Sequence, residues 1–262
     1  MAEDAAQQRT RSPARRRGHG RAYAPPEAVQ TTSLSELLGQ ARDIPENQQH
    51  CFGFSPAGQA GLPHRQAGLR LWCAGERELV QRPCVAIVGT RRVSPEGAAR
   101  ARRLARELVD AGVVVVSGLA RGVDTEALTA AIEAGGRVIA VISTPLERAY
   151  PAENAELQTR IYREHLLISQ FAPGTAVHKG NFPTRNKLMA GISDATVIIE
   201  AGDISGTVHQ AAECQRLGRW LFIAKSVAED PKLTWPAGFL NKPCTRVLAA
   251  TADVVGVLPE RE

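Results

Sequence analysis

From His178 to Lys187 the chain reads His178-Lys179-Gly180-Asn181-Phe182-Pro183-Thr184-Arg185-Asn186-Lys187, which sets three Lys/Arg side chains and no acid around one phenylalanine. Guanidinium and ammonium groups suit phosphate oxygens, and an aromatic ring gives a base a face to stack on. A basic track with such a platform binds single strands without reading their sequence, each stacked base contributing about 1–3 kcal/mol. Lys179, Asn181, Phe182, Arg185, Asn186 and Lys187 are therefore candidate nucleic-acid contacts. Asn181 and Asn186 have a second reading, as side chains that fix a loop by bonding nearby backbone. Three more segments carry small and polar residues: Gly89-Thr90-Arg91-Arg92, Ser117-Gly118-Leu119-Ala120-Arg121-Gly122-Val123-Asp124, and Gly202-Asp203-Ile204-Ser205-Gly206-Thr207. Glycine lets backbone N–H groups approach an anion, and a helix start adds positive partial charge. Ser117, Gly118, Gly122, Ser205, Gly206 and Thr207 are the candidate phosphate-loop residues, with Gly89, Thr90, Arg91 and Arg121 added to the nucleic-acid set. No segment reads G-x-G-x-x-G or G-x-x-x-x-G-K-[ST], so a dinucleotide fingerprint and an NTPase loop are both excluded.

Catalytic groups are harder to assemble. Glu200 stands where a strand should end, but no nucleophile, base or metal-ligand cluster accompanies it in sequence. His209 falls within a helix and reads as a structural histidine, and Asp124 reads as a loop-fixing carboxylate. The five cysteines are scattered without a C-x-x-C pair, which argues against a zinc site and a disulfide framework and fits a reducing cytoplasm. No catalytic residue, metal or cofactor is assigned.

These loops need a scaffold, and the apolar pattern supplies one. Val85-Ala86-Ile87-Val88-Gly89 is a continuous apolar run of the kind buried on both faces of a sheet. Ser94-Pro95-Glu96 starts a helix that runs to about Asp110, with Ala101, Leu104, Ala105 and Leu108 at helical spacing. Strands follow at 113–116, 138–142, 166–171, 196–200 and 220–224, alternating with helices over 125–134, 153–163, 185–192 and 208–216. This alternation predicts an α/β fold, a Rossmann-like, doubly wound and mainly parallel sheet. Ligands of such sheets lie beyond the carboxyl ends of the strands, where the glycine-rich loops fall.

Four of these segments, in order, resemble the DNA-processing protein DprA (Smf) family: Val85–Arg91, Ser117–Asp124, Tyr150-Pro151-Ala152-Glu153-Asn154, and Gly180–Asn186. The resemblance spans about residues 69–226. It implies an extended Rossmann fold that binds single-stranded DNA, dimerises, protects incoming DNA and helps to load RecA during natural transformation. By motif position it implies a phosphate-contacting Arg91, the family lysine at Lys179, and a base-contacting Phe182, with Arg185 and Lys187 on the same segment. Tyr150-Pro151 is read as shaping a turn. The chain departs from the family after Glu200, where Ser205-Gly206 leads into Thr207-Val208-His209-Gln210-Ala211, and Ile223-Ala224-Lys225-Ser226 replaces the usual Val-Pro-Gly. No C-terminal winged-helix domain is recognisable.

A second reading belongs to another class. Rossmann-like relatives such as the LOG phosphoribohydrolases bind or cleave nucleotides at the same crevice, through a Pro-Gly-Gly-x-Gly-Thr-x-x-Glu motif. Gly206-Thr207 matches it, but Gln210 stands at the glutamate position and has no carboxylate to act as acid or base. Nucleotide sensing stays open as the alternative.

Charge completes the picture. The net charge is +5 over 262 residues, but it is unevenly placed. Residues 1–25 hold six arginines against two acids, which leaves 26 basic and 25 acidic residues in the other 237. Residues 1–26 read as a disordered basic tail, 27–84 as a loosely packed lead-in with a short helix around Ser33–Leu38 and a strand-like Leu69–Cys73, and 85–262 as the Rossmann-like domain. The arginines of the helix after Ser94 read as a solvated outer face. No apolar run reaches the roughly 18 residues of a membrane helix, and no signal peptide is recognisable.

Overall fold

The apolar runs become strands of a single nine-stranded sheet in the computed structural model, which describes residues 23–39, 68–203 and 206–260. The strands are β1 (Gln30–Ser33), β2 (Arg70–Gly75), β3 (Cys84–Gly89), β4 (Val114–Ser117), β5 (Val138–Ile142), β6 (Leu166–Ser169), β7 (Ala195–Glu200), β8 (Trp220–Ala224) and β9 (Thr245–Leu248). The helices are α1 (Leu34–Leu38), α2 (Pro95–Asp110), α3 (Val123–Glu133), α4 (Ala155–Glu164), α5 (Asn181–Ile192) and α6 (Gly206–Arg216), followed by the short α7 (Lys225–Ala228), α8 (Ala237–Leu240) and α9 (Thr251–Val255). The strand order is β1-β2-β6-β5-β4-β3-β7-β8-β9. Every pairing from β6 to β9 is parallel, and only β1 with β2 and β2 with β6 run antiparallel. The α/β, mainly parallel expectation holds.

The topology fixes where a ligand can sit. From β3 the chain builds outward through β4, β5 and β6, then returns to place β7 on the other side of β3 and builds outward again through β8 and β9. The loops after β3 and β7 therefore diverge to opposite faces and open a crevice between them, as at other topological switch points. Both faces of the sheet are covered, so β5 and β8 are buried at every position. Ala101, Leu104, Ala105 and Leu108 of α2 pack on one face, and Leu188, Met189 and Ile192 of α5 on the other. Ser94 caps α2 as its sequence predicts, accepting from the Gly97 N–H at 3.0 Å.

Three sequence boundaries move. The lead-in at 27–84 is not separate from the domain drawn from residue 85: it supplies β1, α1 and β2 to the same sheet. Leu34, Leu37 and Leu38 form a buried stripe on α1, and Leu71 and Cys73 point inward from β2 while Arg70 stays exposed. Five residues of alternating pattern and one helical turn bury enough apolar surface to join the main core, which a composition-based boundary overlooks. The Pro-, Gly- and Gln-rich stretch from 45 to 67 and the tail up to residue 22 lie outside the described residues. The second shift adds β9, a short edge strand with half-exposed side chains and so no continuous apolar run to announce it. The third extends α5 back to Asn181, four residues before the predicted start. Pro183 falls in its first turn, where the missing N–H leaves no intrahelical bond unmade.

Candidate nucleic-acid interface

The crevice at the β3/β7 switch has a volume of about 930 Å³. Its walls come from the loop after β3, the start of α5 and the start of α6, with Arg91, Arg92, Lys179, Phe182, Thr207 and His209 among the lining side chains. The loop after β3 is anchored by its own backbone: Thr90 N–H donates to the Glu200 carbonyl at 2.7 Å, and Val123 N–H donates to the Thr90 carbonyl at 3.2 Å. Gly122, at φ +77°, lets the two loops touch, because a Cβ there would stand 2.3 Å from the Thr90 oxygen.

At the mouth, three groups meet. The Arg91 guanidinium lies 4.5 Å from the centroid of the Phe182 ring, a cation–π contact. The Tyr150 ring sits 5.7 Å from Phe182 at an interplanar angle of 53°. Tyr150 is 43% exposed, a large ring held open to solvent beside a half-buried one. Arg91, Arg92 and Lys179 are all exposed on the rim. Tyr150 is the residue that sequence reasoning undervalued as a turn former. Its position in a Tyr-Pro-x-x-Asn segment gave no sign that its ring would reach Phe182 across the fold.

Several predicted contact residues turn inward instead. Arg185 is buried, donates from Nη1 to the Val141 carbonyl at 2.9 Å, and faces Asp124 at 3.8 Å. Helical spacing explains it, since Asn181, Arg185 and Asn186 share the core side of α5 while Thr184 and Lys187 point to solvent. Asn181 Nδ2 donates to the Ser143 carbonyl at 3.2 Å and Asn186 Nδ2 to the Gly206 carbonyl at 2.9 Å, which is the loop-fixing role. Asp124 is likewise buried, and its carboxylate accepts the Gly118 and Ala120 N–H groups at 3.2 and 3.3 Å. Burial pushes the Asp124 carboxyl up, with Arg185 and the two amides opposing it, and burial draws Arg185 down. Gly118 is required by this pair: a Cβ on it would lie 1.2 Å from Arg185 Nη1. Ser117 is buried too and donates to the Ile87 carbonyl at 2.7 Å. Asp124, Arg185 and Asn186 nonetheless line the crevice, as its floor.

The remaining candidates divide. Gly89, Thr90, Gly206 and Thr207 stand in the crevice wall. Arg121 and Lys187 are exposed but lie outside that wall, and Arg121 is paired with Glu153. Ser205 falls outside the described residues. His209, read as structural, is exposed on the wall instead. Glu200 is occupied: its carboxylate accepts from Ser94 Oγ at 2.7 Å and from the Ser94 N–H at 3.2 Å, at the start of α2. Gln210, at the position a phosphoribohydrolase glutamate would hold, is buried away from the crevice and donates to Thr196 Oγ1 at 3.2 Å. On the opposite flank, Arg102 pairs with Glu126 and Arg103 with Glu107, in keeping with a solvated helix face. No helix among the described residues is long and apolar enough to cross a membrane.

Known proteins resemble this chain in sequence and in fold. DNA processing protein DprA from Streptococcus pneumoniae is 38% identical over 156 residues, covering 60% of this chain and 55% of that protein. DprA from Bacillus subtilis is 32% identical over 177 residues, covering 68% and 59%, and Protein Smf from Synechocystis is 37% identical over 161 residues, covering 62% and 40%. The chain thus spans about half the length of the curated relatives it matches. The X-ray structure of S. pneumoniae DprA superposes with a TM-score of 0.71 at 28% identity, covering 90% of this chain and 76% of that one. A Helicobacter pylori DprA structure, described for its single-stranded DNA binding mode, superposes with a TM-score of 0.65 at 26% identity, covering 87% and 94%. A family profile matches residues 60–255, from before β2 to the end of α9, and by that match the chain belongs to the DNA recombination-mediator protein A family.

Proposed function

We propose that this chain binds single-stranded DNA, without catalysing a reaction on it, along the mouth of the β3/β7 crevice. The observation that carries the reading is the cluster of Arg91, Phe182 and Tyr150, with Lys179 and Arg92 exposed beside it. Exposed cations next to an exposed ring suit a strand whose phosphates and unstacked bases alternate along its length. Arg91 and Lys179 take phosphates, and Phe182 with Tyr150 takes a base. Arg185, Asn181 and Asn186 hold these groups in place. Membership of a recombination-mediator family supports the finer reading: a cytoplasmic homodimer that protects a strand and assists RecA loading in natural transformation.

Fluorescence anisotropy of a labelled oligothymidylate at two salt concentrations tests the binding. Affinity is expected to fall steeply as salt rises, and Arg91→Ala or Lys179→Ala to weaken it by about tenfold or more. Salt-independent binding, or tight mononucleotide binding with no affinity for the strand, would overturn the reading in favour of a nucleotide sensor.

A further inference from the structure

A second cavity, of about 860 Å³, opens at the same carboxyl edge of the sheet and shares no lining residue with the crevice. It lies where β7, β8 and β9 end, against the side of α2 that carries Arg100, Arg103, Leu104 and Glu107. These four recur at spacings of three and four residues and so share one face of the helix. Ile199, Ala224 and Leu248, each at or next to the end of its strand, complete an apolar floor with Leu104. Ser226, Ala249 and Ala250 are small, which leaves the room above that floor. Lys225 and Ser226 belong to the segment in which this chain departs from the family pattern.

Of the charges around this cavity, one cation is left over. Arg103 Nε lies 3.9 Å from Glu107, Lys225 Nζ lies 3.7 Å from Glu229, and Glu107 also accepts from the Thr251 hydroxyl. Half-buried Arg100 has no carboxylate within ion-pair distance among the described residues, and its Nε is buried without a hydrogen-bond partner among them. A guanidinium offers five donors, and a buried N–H with no acceptor destabilises the fold until one is supplied. The exposed pairs of Arg103 and Lys225 contribute little, so both cations can turn to an anion beside Arg100 at small cost. The exposed Ser226 hydroxyl adds a further donor.

We propose that this cavity is a second ligand site that takes a single nucleotide. Its phosphate is held by Arg100, with Arg103, Lys225 and Ser226 beside it, and its base lies on the apolar floor. Size and placement support this. The volume falls within the range of about 300–1,000 Å³ common to small-molecule sites, and ligands of doubly wound sheets gather beyond the carboxyl ends of the strands. A bare phosphate would leave the floor unused, whereas a nucleotide uses both the cations and the apolar surface. The nucleotide comes either free or as one unit of a bound strand, since the gap between β8 and β9 is only two strand spacings, about 10 Å, from the β3/β7 switch. The site is independent of the crevice reading.

The test titrates the full-length protein calorimetrically with dTMP, with inorganic phosphate and with an oligothymidylate of about 12 nucleotides. Wild type is compared with Arg100→Gln, Ala249→Phe and Arg91→Ala, and urea midpoints confirm that each variant folds. Arg100→Gln is expected to weaken dTMP binding about tenfold or more, as the loss of a charge-assisted contact does. Ala249→Phe, which fills the cavity from an exposed position, is expected to abolish it, and Arg91→Ala to leave it unchanged. If wild type binds no free dTMP, the same weakening of the oligothymidylate by Arg100→Gln and Ala249→Phe assigns the site to a nucleotide of the strand. No effect of these two variants on either ligand would overturn the site. Binding of dTMP that is lost in Arg91→Ala and kept in Arg100→Gln would overturn it too, by placing the nucleotide in the crevice. Inorganic phosphate bound as tightly as dTMP would overturn the role of the floor, and with it the nucleotide. A wild type that binds dTMP here and no oligothymidylate would overturn the crevice reading alone.

Discussion

One ten-residue stretch supplies both the surface and the foundation of the crevice. Lys179 and Phe182 reach the mouth, whereas Asn181, Arg185 and Asn186, from the same stretch, turn into the protein and bond to Ser143, Val141 and Gly206. Arg91 and Arg185 make the contrast sharpest. Both are arginines at the carboxyl edge of the sheet, yet Arg91 lies open over an aromatic ring and Arg185 is closed over Asp124. Residue type alone does not assign a role. The helix that starts at Asn181 puts Phe182, Arg185 and Asn186 on one side, so their place along it decides: Phe182 is in the first turn at the mouth, and Arg185 and Asn186 follow one turn further in.

The largest effect should come from the foundation. Arg185→Leu leaves the Asp124 carboxyl buried without its cation, and is expected to lower unfolding stability by about 3–5 kcal/mol in urea titrations. Adding Asp124→Asn should recover part of that loss. A stable Arg185→Leu protein with impaired strand binding would erase the contrast and return Arg185 to the contact set. The mouth should behave in the opposite way. Tyr150→Ala is expected to leave the urea midpoint nearly unchanged while weakening oligothymidylate binding by about fivefold, the low end of one stacked base. Loss of stability with unaltered affinity would make Tyr150 a packing residue. Arg121→Gln should do least, since its exposed pair with Glu153 lies outside the crevice wall. A change within about 1 kcal/mol in stability and less than threefold in strand affinity is expected. A larger loss of affinity would move the path of the strand toward α3.

How far this was legible in the sequence follows from the same contrast. Continuous apolar runs made β3, β5, β7 and β8 readable, because strands buried on both faces leave no alternation to misjudge. The Ser94 cap was readable because its chemistry is local. Lys179 and Phe182 belong to a motif and do line the crevice. The burial of Arg185 was not legible because its partner, Asp124, is distant in sequence, and an unpaired guanidinium reads as surface. Tyr150 was missed for the complementary reason: its neighbour Phe182 belongs to a distant element, the first turn of α5. Gly118 announced a close approach, and the group that approaches it is the Arg185 guanidinium. The apolar alternation of Leu69–Cys73 made β2 readable, but β1 and the pairing of both strands with the main sheet were hidden by the Gly/Pro-rich composition between them.

The carboxylate of Asp124 already fills the amides of the loop after β4, taking the N–H groups of Gly118 and Ala120. A P-loop clamps one particular phosphate between fixed backbone donors; here that clamp is closed from within. A strand bound here as proposed would be left to long, jointed cationic side chains, whose grip on one phosphate is equivalent to their grip on the next. Such a holder would impose no reading frame, and a strand so bound would be free to creep past it one nucleotide at a time without being released.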